Sequence, residues 1–124
     1  MRLISARSLL TAAVLGVAAI AAGCGSSSDE VPANAKKLSF KLTDAGCLPN
    51  SAKAPAGPIA FEVENDGTGA VTEFEVLEGA TILGEKENLT AGLSGGFSLT
   101  LAKGEYTIYC PGGEEERGTL TVTG

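Results

Sequence analysis

Three cysteines, Cys24, Cys47 and Cys110, carry the most distinctive chemistry of this 124-residue chain, because the usual companions of a sulfur metal site are missing. There is no histidine, and the single methionine is Met1. A blue copper centre takes two imidazoles and a thiolate, usually with a weak axial thioether, so that centre cannot be built from these residues. Two uses of Cys47 and Cys110 stay open. As thiolates they suit Cu(I) or Zn(II). As an oxidised pair they would cross-link distant parts of a small exported domain, which on the chain-entropy model contributes about 4 kcal/mol.

Which use applies depends on Cys24. Arg2 and Arg7 give a positive start, residues 9–22 form a short apolar run, and Ala21-Ala22-Gly23-Cys24 supplies small residues ending on a thiol. This is a secretory signal pattern, too short for a membrane span of roughly 20 residues. It resembles a bacterial lipoprotein signal, with Cys24 as the lipid-modified first residue of the mature chain. Acylation would hold the protein at the extracytoplasmic face of the cell membrane, and it would leave Cys47 and Cys110 as an even pair. The expected organisation is a signal peptide over 1–23, a lipid-anchored, flexible and disordered tether over 24–36, and one domain over 37–124.

Removing residues 1–23 takes Arg2 and Arg7 with it and leaves 7 Lys and Arg against 15 Asp and Glu, a net charge of −8. So acidic a domain is a poor ligand for nucleic acid, whose binding depends on basic phosphate contacts. Solubility of an exported protein accounts for most of the carboxylates. Catalysis finds little support either: there is no histidine to serve as a base, no serine in a nucleophile elbow and no phosphate-cradling glycine loop, so the chain is not expected to be an enzyme.

The elements that position these residues follow from period-two alternation. Leu38, Phe40 and Leu42; Ile59, Phe61 and Val63; Phe97, Leu99 and Leu101; Tyr106, Ile108 and Cys110; and Leu120 with Val122 each occupy alternate positions. Residues 74–77 and 80–83 add two more strands. Turn signals separate them at Pro49-Asn50, Ala56-Gly57-Pro58, Asn65-Asp66-Gly67, Lys103-Gly104 and Pro111-Gly112-Gly113, and no segment has helical period. The pattern predicts an all-β fold, an antiparallel β-sandwich of seven or eight strands. Glu114-Glu115-Glu116-Arg117 reads as a flexible solvated loop, and Glu85-Lys86-Glu87 as the charged edge strand that discourages sheet-to-sheet pairing.

Across residues 38–122 the sequence resembles the EfeO-type cupredoxin-like domain of a bacterial iron-uptake component. The resemblance rests on Asn65, the segment Val71-Thr72-Glu73-Phe74-Glu75-Val76-Leu77, residues 82–89 with Gly92, residues 101–106 with Cys110, and Gly118-Thr119-Leu120-Thr121-Val122. It implies a Greek-key sandwich, a stand-alone lipoprotein form of the domain, and a partner in an iron permease or uptake system. It also implies a metal site of Cys47, Glu73 and Cys110, with Glu73 where a blue copper protein carries its first histidine. With free thiols that set would take copper or zinc. If the cysteines are oxidised, Glu73 with Asp44, Glu85 or Glu87 would hold a hard cation such as iron. Two functions are therefore expected: a membrane-anchored module that binds copper or iron for iron uptake, or a redox-silent sandwich stapled by Cys47 and Cys110 that serves as an interaction or scaffold domain.

Overall fold

The computed structural model describes residues 30–124, so Cys24 and the signal lie outside the described residues. The alternating runs fold into strands β1 (Lys36–Thr43), β4 (Gly57–Asn65), β5 (Phe74–Glu78), β6 (Thr81–Lys86), β7 (Ser94–Leu101), β8 (Gly104–Tyr109) and β9 (Arg117–Thr123). Two shorter strands complete the set, β2 (Gly46–Leu48) and β3 (Ser51–Pro55). Gly-Cys-Leu and Ser-Ala-Lys-Ala-Pro lack the large alternating side chains by which a strand is read from sequence, which is why nine strands form where seven or eight were expected.

One sheet runs β2-β1-β4-β7 and the other β3-β9-β8-β5-β6. Most neighbours are antiparallel, but β1 pairs with β4 and β3 with β9 in parallel. The sandwich forms as expected, and its expected antiparallel pairing is corrected at these two pairs. Between β1 and β4 the chain crosses to the other sheet as β3 and returns, so β4 lies beside β1 in the same direction. Alternation sets which face a residue occupies and says nothing about which strand lies alongside.

The inward positions make the core. Phe40, Leu42, Ile59, Phe61 and Val63 come from the four-stranded sheet, and Phe74, Val76, Ile108, Leu120 and Val122 from the five-stranded one, all buried. Phe40 and Phe74 meet across the sheets with ring centroids 4.8 Å apart, and Phe61 and Phe97, paired on neighbouring strands of one sheet, lie at 5.1 Å, distances at which aromatic pairs attract beyond their burial. At the seam between β6 and β7, a Cβ on Gly84 would meet the Phe97 ring and one on Gly95 the Lys86 stem. The absence of side chains there lets the two sheets close together.

Loops at one end of the sandwich are gathered by Asn65, which is 1% exposed. Its Nδ2 donates to the carbonyls of Thr68, Val71 and Leu89 at 3.0, 3.2 and 2.7 Å, and its Oδ1 accepts from the backbone N–H groups of Gly67 and Thr68 at 3.0 and 2.9 Å. Every polar atom of this buried amide is satisfied, as burial requires. Thr68 in turn donates its hydroxyl to the Asp44 carboxylate. Asn65→Ala would strand several of these groups away from water, at roughly 1–3 kcal/mol for each one left unpaired. Denaturant titration is expected to show a loss of about 3 kcal/mol in unfolding free energy, and a change below about 0.5 kcal/mol would contradict the role given to Asn65.

Candidate functional site

Cys47 lies in β2 and Cys110 just past β8, both on the inner side of their sheets and both buried. They form a disulfide with Cα atoms 6.0 Å apart. The bond cross-links the two sheets across a sequence separation of 63 residues. In this oxidised form neither sulfur is a thiolate, so the soft-ligand use of the pair is closed.

The segment after Cys110 is held by its backbone. Cys110 N–H donates to the Glu116 carbonyl at 2.7 Å, and the N–H groups of Glu114 and Glu115 donate to the carbonyls of Asp44 and Ala45, each at 3.0 Å. A Cβ on Gly112 would collide with the Ala70 carbonyl, and one on Gly46 with that of Glu115, so both close approaches require glycine. Glu114, Glu115 and Glu116 are exposed, as expected of a solvated loop, but their backbone is pinned to the β1–β2 turn rather than loose.

Glu73 goes elsewhere. Phe74 and Val76 point into the core, so the alternation of β5 turns Glu73 and Glu75 to the outer face of the five-stranded sheet. Cys110 is buried on the inner face. The set of Cys47, Glu73 and Cys110 is therefore not brought together: the sulfurs are joined to each other, and Glu73 lies across the sheet from them. What does converge is a group of carboxylates, Glu73, Glu85 and Glu87, with ligand oxygens all within 4.8 Å of one another. Register explains it. Glu75 pairs with Glu85 across the β5–β6 ladder, and two residues along, in the same parity, Glu87 comes opposite Glu73. Asp44 is not part of this group; its carboxylate accepts from Thr68.

Glu75 was not singled out in the sequence, although its parity with Glu73 in Glu-Phe-Glu-Val carries the signal. It is only 6% exposed on an outer face. Its neighbours there are Glu85 on one side, Tyr109 on the other, and buried Leu77 two residues along. Burial first, then a hydrogen bond shared with the Glu73 carboxyl and repulsion from Glu73, Glu85 and Glu87, push its pKa from 4.5 up to about 7. Two carboxyls in hydrogen-bond contact need a proton or a cation between them. No compensating ion pair is available: the two salt bridges among the described residues, Lys37–Glu62 and Lys41–Asp66, lie on the other sheet. Lys86, although flanked by Glu85 and Glu87, turns the other way and lies over Gly95.

Because the folded Glu75 carboxyl keeps its proton to a higher pH than the unfolded one, the fold is favoured most below about 4.5 and loses that contribution as pH rises to about 7. Replacing Glu75 by Gln in metal-free protein should raise the melting temperature at pH 8 and leave it nearly unchanged below pH 4.5. Thermal scans at the two pH values check this, and the absence of a gain at pH 8 would contradict it.

Comparison with known proteins agrees with this architecture. The family model of the cupredoxin-like domain matches residues 13–122. The iron uptake system component EfeO of Yersinia pestis is 31% identical over 91 residues, and that of Escherichia coli strain K12 is 30% identical over 92. These alignments take in 73% and 74% of this chain and 24% of each relative, so the chain spans about a quarter of their length. Among solved structures, the auracyanin of Roseiflexus castenholzii superposes with a TM-score of 0.61 at 15% identity, covering 73% of this chain and 98% of that one. Auracyanin A, a "blue" copper protein of Chloroflexus aurantiacus, superposes with a TM-score of 0.62 at 13% identity, covering 70% and 98%. The copper of such a centre does not fit the donors present here, since the chain has no histidine and the sulfur of Cys110 is bonded to that of Cys47. By fold and by sequence the chain belongs to the cupredoxin-like domain family, as an EfeO-type member.

Proposed function

We propose that this domain is a metal-binding module of a bacterial iron-uptake system, that its ligands are the outer-face carboxylates Glu73, Glu75, Glu85 and Glu87, and that iron is its cargo. The observation that carries the reading is the convergence of Glu73, Glu85 and Glu87 on one face of β5 and β6, with Glu75 buried beside them and no salt bridge to any of the four among the described residues. Carboxylate oxygens suit hard cations, whereas copper in its reduced state prefers the soft sulfur donors that the disulfide occupies. The names of the EfeO relatives support the iron-uptake assignment. The role is binding and transfer rather than catalysis. A permease or another component of the uptake system would receive the metal, and a lipid on Cys24 would keep the module at the extracytoplasmic face of the membrane.

The disulfide by itself also suits a redox-silent scaffold domain, in which the acidic row would be no more than a solvated surface. Calorimetric titration of the oxidised protein with ferric ion, delivered as its nitrilotriacetate chelate, separates the two readings. The metal-binding reading expects measurable binding that falls roughly 10–100-fold in the Glu85→Gln/Glu87→Gln double variant. No heat of binding, or equal affinity in the variant, would overturn it in favour of the scaffold.

A further inference from the structure

The four-stranded sheet has an outer face of its own, and one row of it is complementary to itself. Lys41 pairs with Leu48 on one side and with Glu64 on the other, and Glu64 pairs with Ser94. The register thus sets Leu48, Lys41, Glu64 and Ser94 side by side across β2, β1, β4 and β7. Their chain neighbours Cys47, Leu42 and Val63 are buried in the core, which turns the row outward. Across the sheet it runs large apolar, cation, anion, small. Half a turn about an axis parallel to the strands, midway between β1 and β4, lays the same row of a second copy over the first in reverse. Leu48 then meets Ser94 and Lys41 meets Glu64, and each contact is made twice, as two-fold symmetry requires.

Charge and shape both favour that partner. The chain has a formal net charge of −6, so two copies repel on average. On this face, however, Lys37 and Lys41 of β1 balance Glu62 and Glu64 of β4 in two adjacent stripes of opposite sign. Lys37 is paired within the chain, with Glu62 at 3.3 Å. Lys41 reaches only Asp66, at 4.0 Å and well exposed, and Glu64 has no salt bridge among the described residues. A cation and an anion are therefore left to pair outward, in the row that also carries Leu48. Leu48 is 49% exposed and borders a cleft of about 690 Å³ that reaches from Leu48-Pro49 to Ser94-Gly95. The small residues at the far side of that cleft leave room for the leucine of a second copy. Further along the strands, residues 31–35 border the same face and Ala60 is buried, so the open part is the half near Leu48. A patch of that size falls at the low end of specific interfaces and makes a weak, concentration-dependent pair.

We infer that two copies of this chain dock through the row of Leu48, Lys41, Glu64 and Ser94 as a symmetric dimer, with the outer faces of their four-stranded sheets stacked and their strands aligned. The inference does not depend on the proposed metal-binding function. The acids of β5 and β6 belong to the other sheet, so in the pair they lie on the outside.

The experiment is sedimentation velocity of the whole oxidised protein from micromolar to near-millimolar concentration. The wild type should pass from monomer to dimer across that range. Lys41→Glu and Glu64→Lys each set like charges against each other at both symmetry-related contacts, and each should raise the dimer dissociation constant roughly 10-fold or more. Both residues are exposed, so neither change disturbs the core. An equimolar mixture of the two variants should regain the dimer, because both contacts of the mixed pair join opposite charges. A wild type that stays monomeric at the highest concentration overturns the inference. So does association of equal strength in the single variants, which would mark attachment through a lipid or another face, and so does a mixture that associates no better than its components.

Discussion

The alternation of β5 is the constraint on which the site depends. Phe74 is fully buried against the Phe40, Phe61 and Phe97 rings and Val76 is fully buried in the same core, and this fixes which residues of the strand face in. Glu73 and Glu75 must then face out, because side chains alternate strictly along a strand. A slip of one residue would put carboxylates into the aromatic core and phenylalanine into water, so the register is strongly specified. The pairing of Glu75 with Glu85 then assembles four acids from two strands. That cluster is unfavourable in itself, and the aromatic packing on the opposite face of the same strand holds it in place.

The Cys47–Cys110 bond acts on the same question from the other side of the sheet. It occupies both of these sulfurs at one end of the sandwich, and it ties β2 to the start of the pinned segment after β8. With histidine missing and the sulfurs of Cys47 and Cys110 joined, the acidic side chains among the described residues offer oxygen donors. The interior is a stapled and fully satisfied structural core, with Asn65 gathering its loops. Polar groups without a structural partner are gathered on the outer face. Under the proposed function, structure and binding are thereby separated onto the two faces of one sheet.

Much of this was legible in the residues. Phe40, Phe61, Ile108 and Leu120 declare their strands by period, and the glycine and proline clusters mark the turns between them. Cysteine parity made the Cys47–Cys110 pair a reading that sequence alone could support. The parallel neighbours β1–β4 and β3–β9 were not legible, because chain crossing leaves no local mark. Nor were β2 and β3, whose small residues bury little. The candidate site was half legible. Glu73, Glu85 and Glu87 were marked by their chemistry, but Glu73 was assigned to the sulfurs because likeness of position outweighed parity. Glu75 was passed over because a glutamate on an open face does not signal a site; only cross-strand register places it beside the other acids.

The most direct test of the account is an anomalous diffraction map at the iron edge from crystals of the oxidised protein soaked with a ferric chelate. The account places the iron peak on the outer face of β5 and β6, among the oxygens of Glu73, Glu75, Glu85 and Glu87. A peak beside Cys47 and Cys110 instead, or none on that outer face at full iron loading, would contradict it.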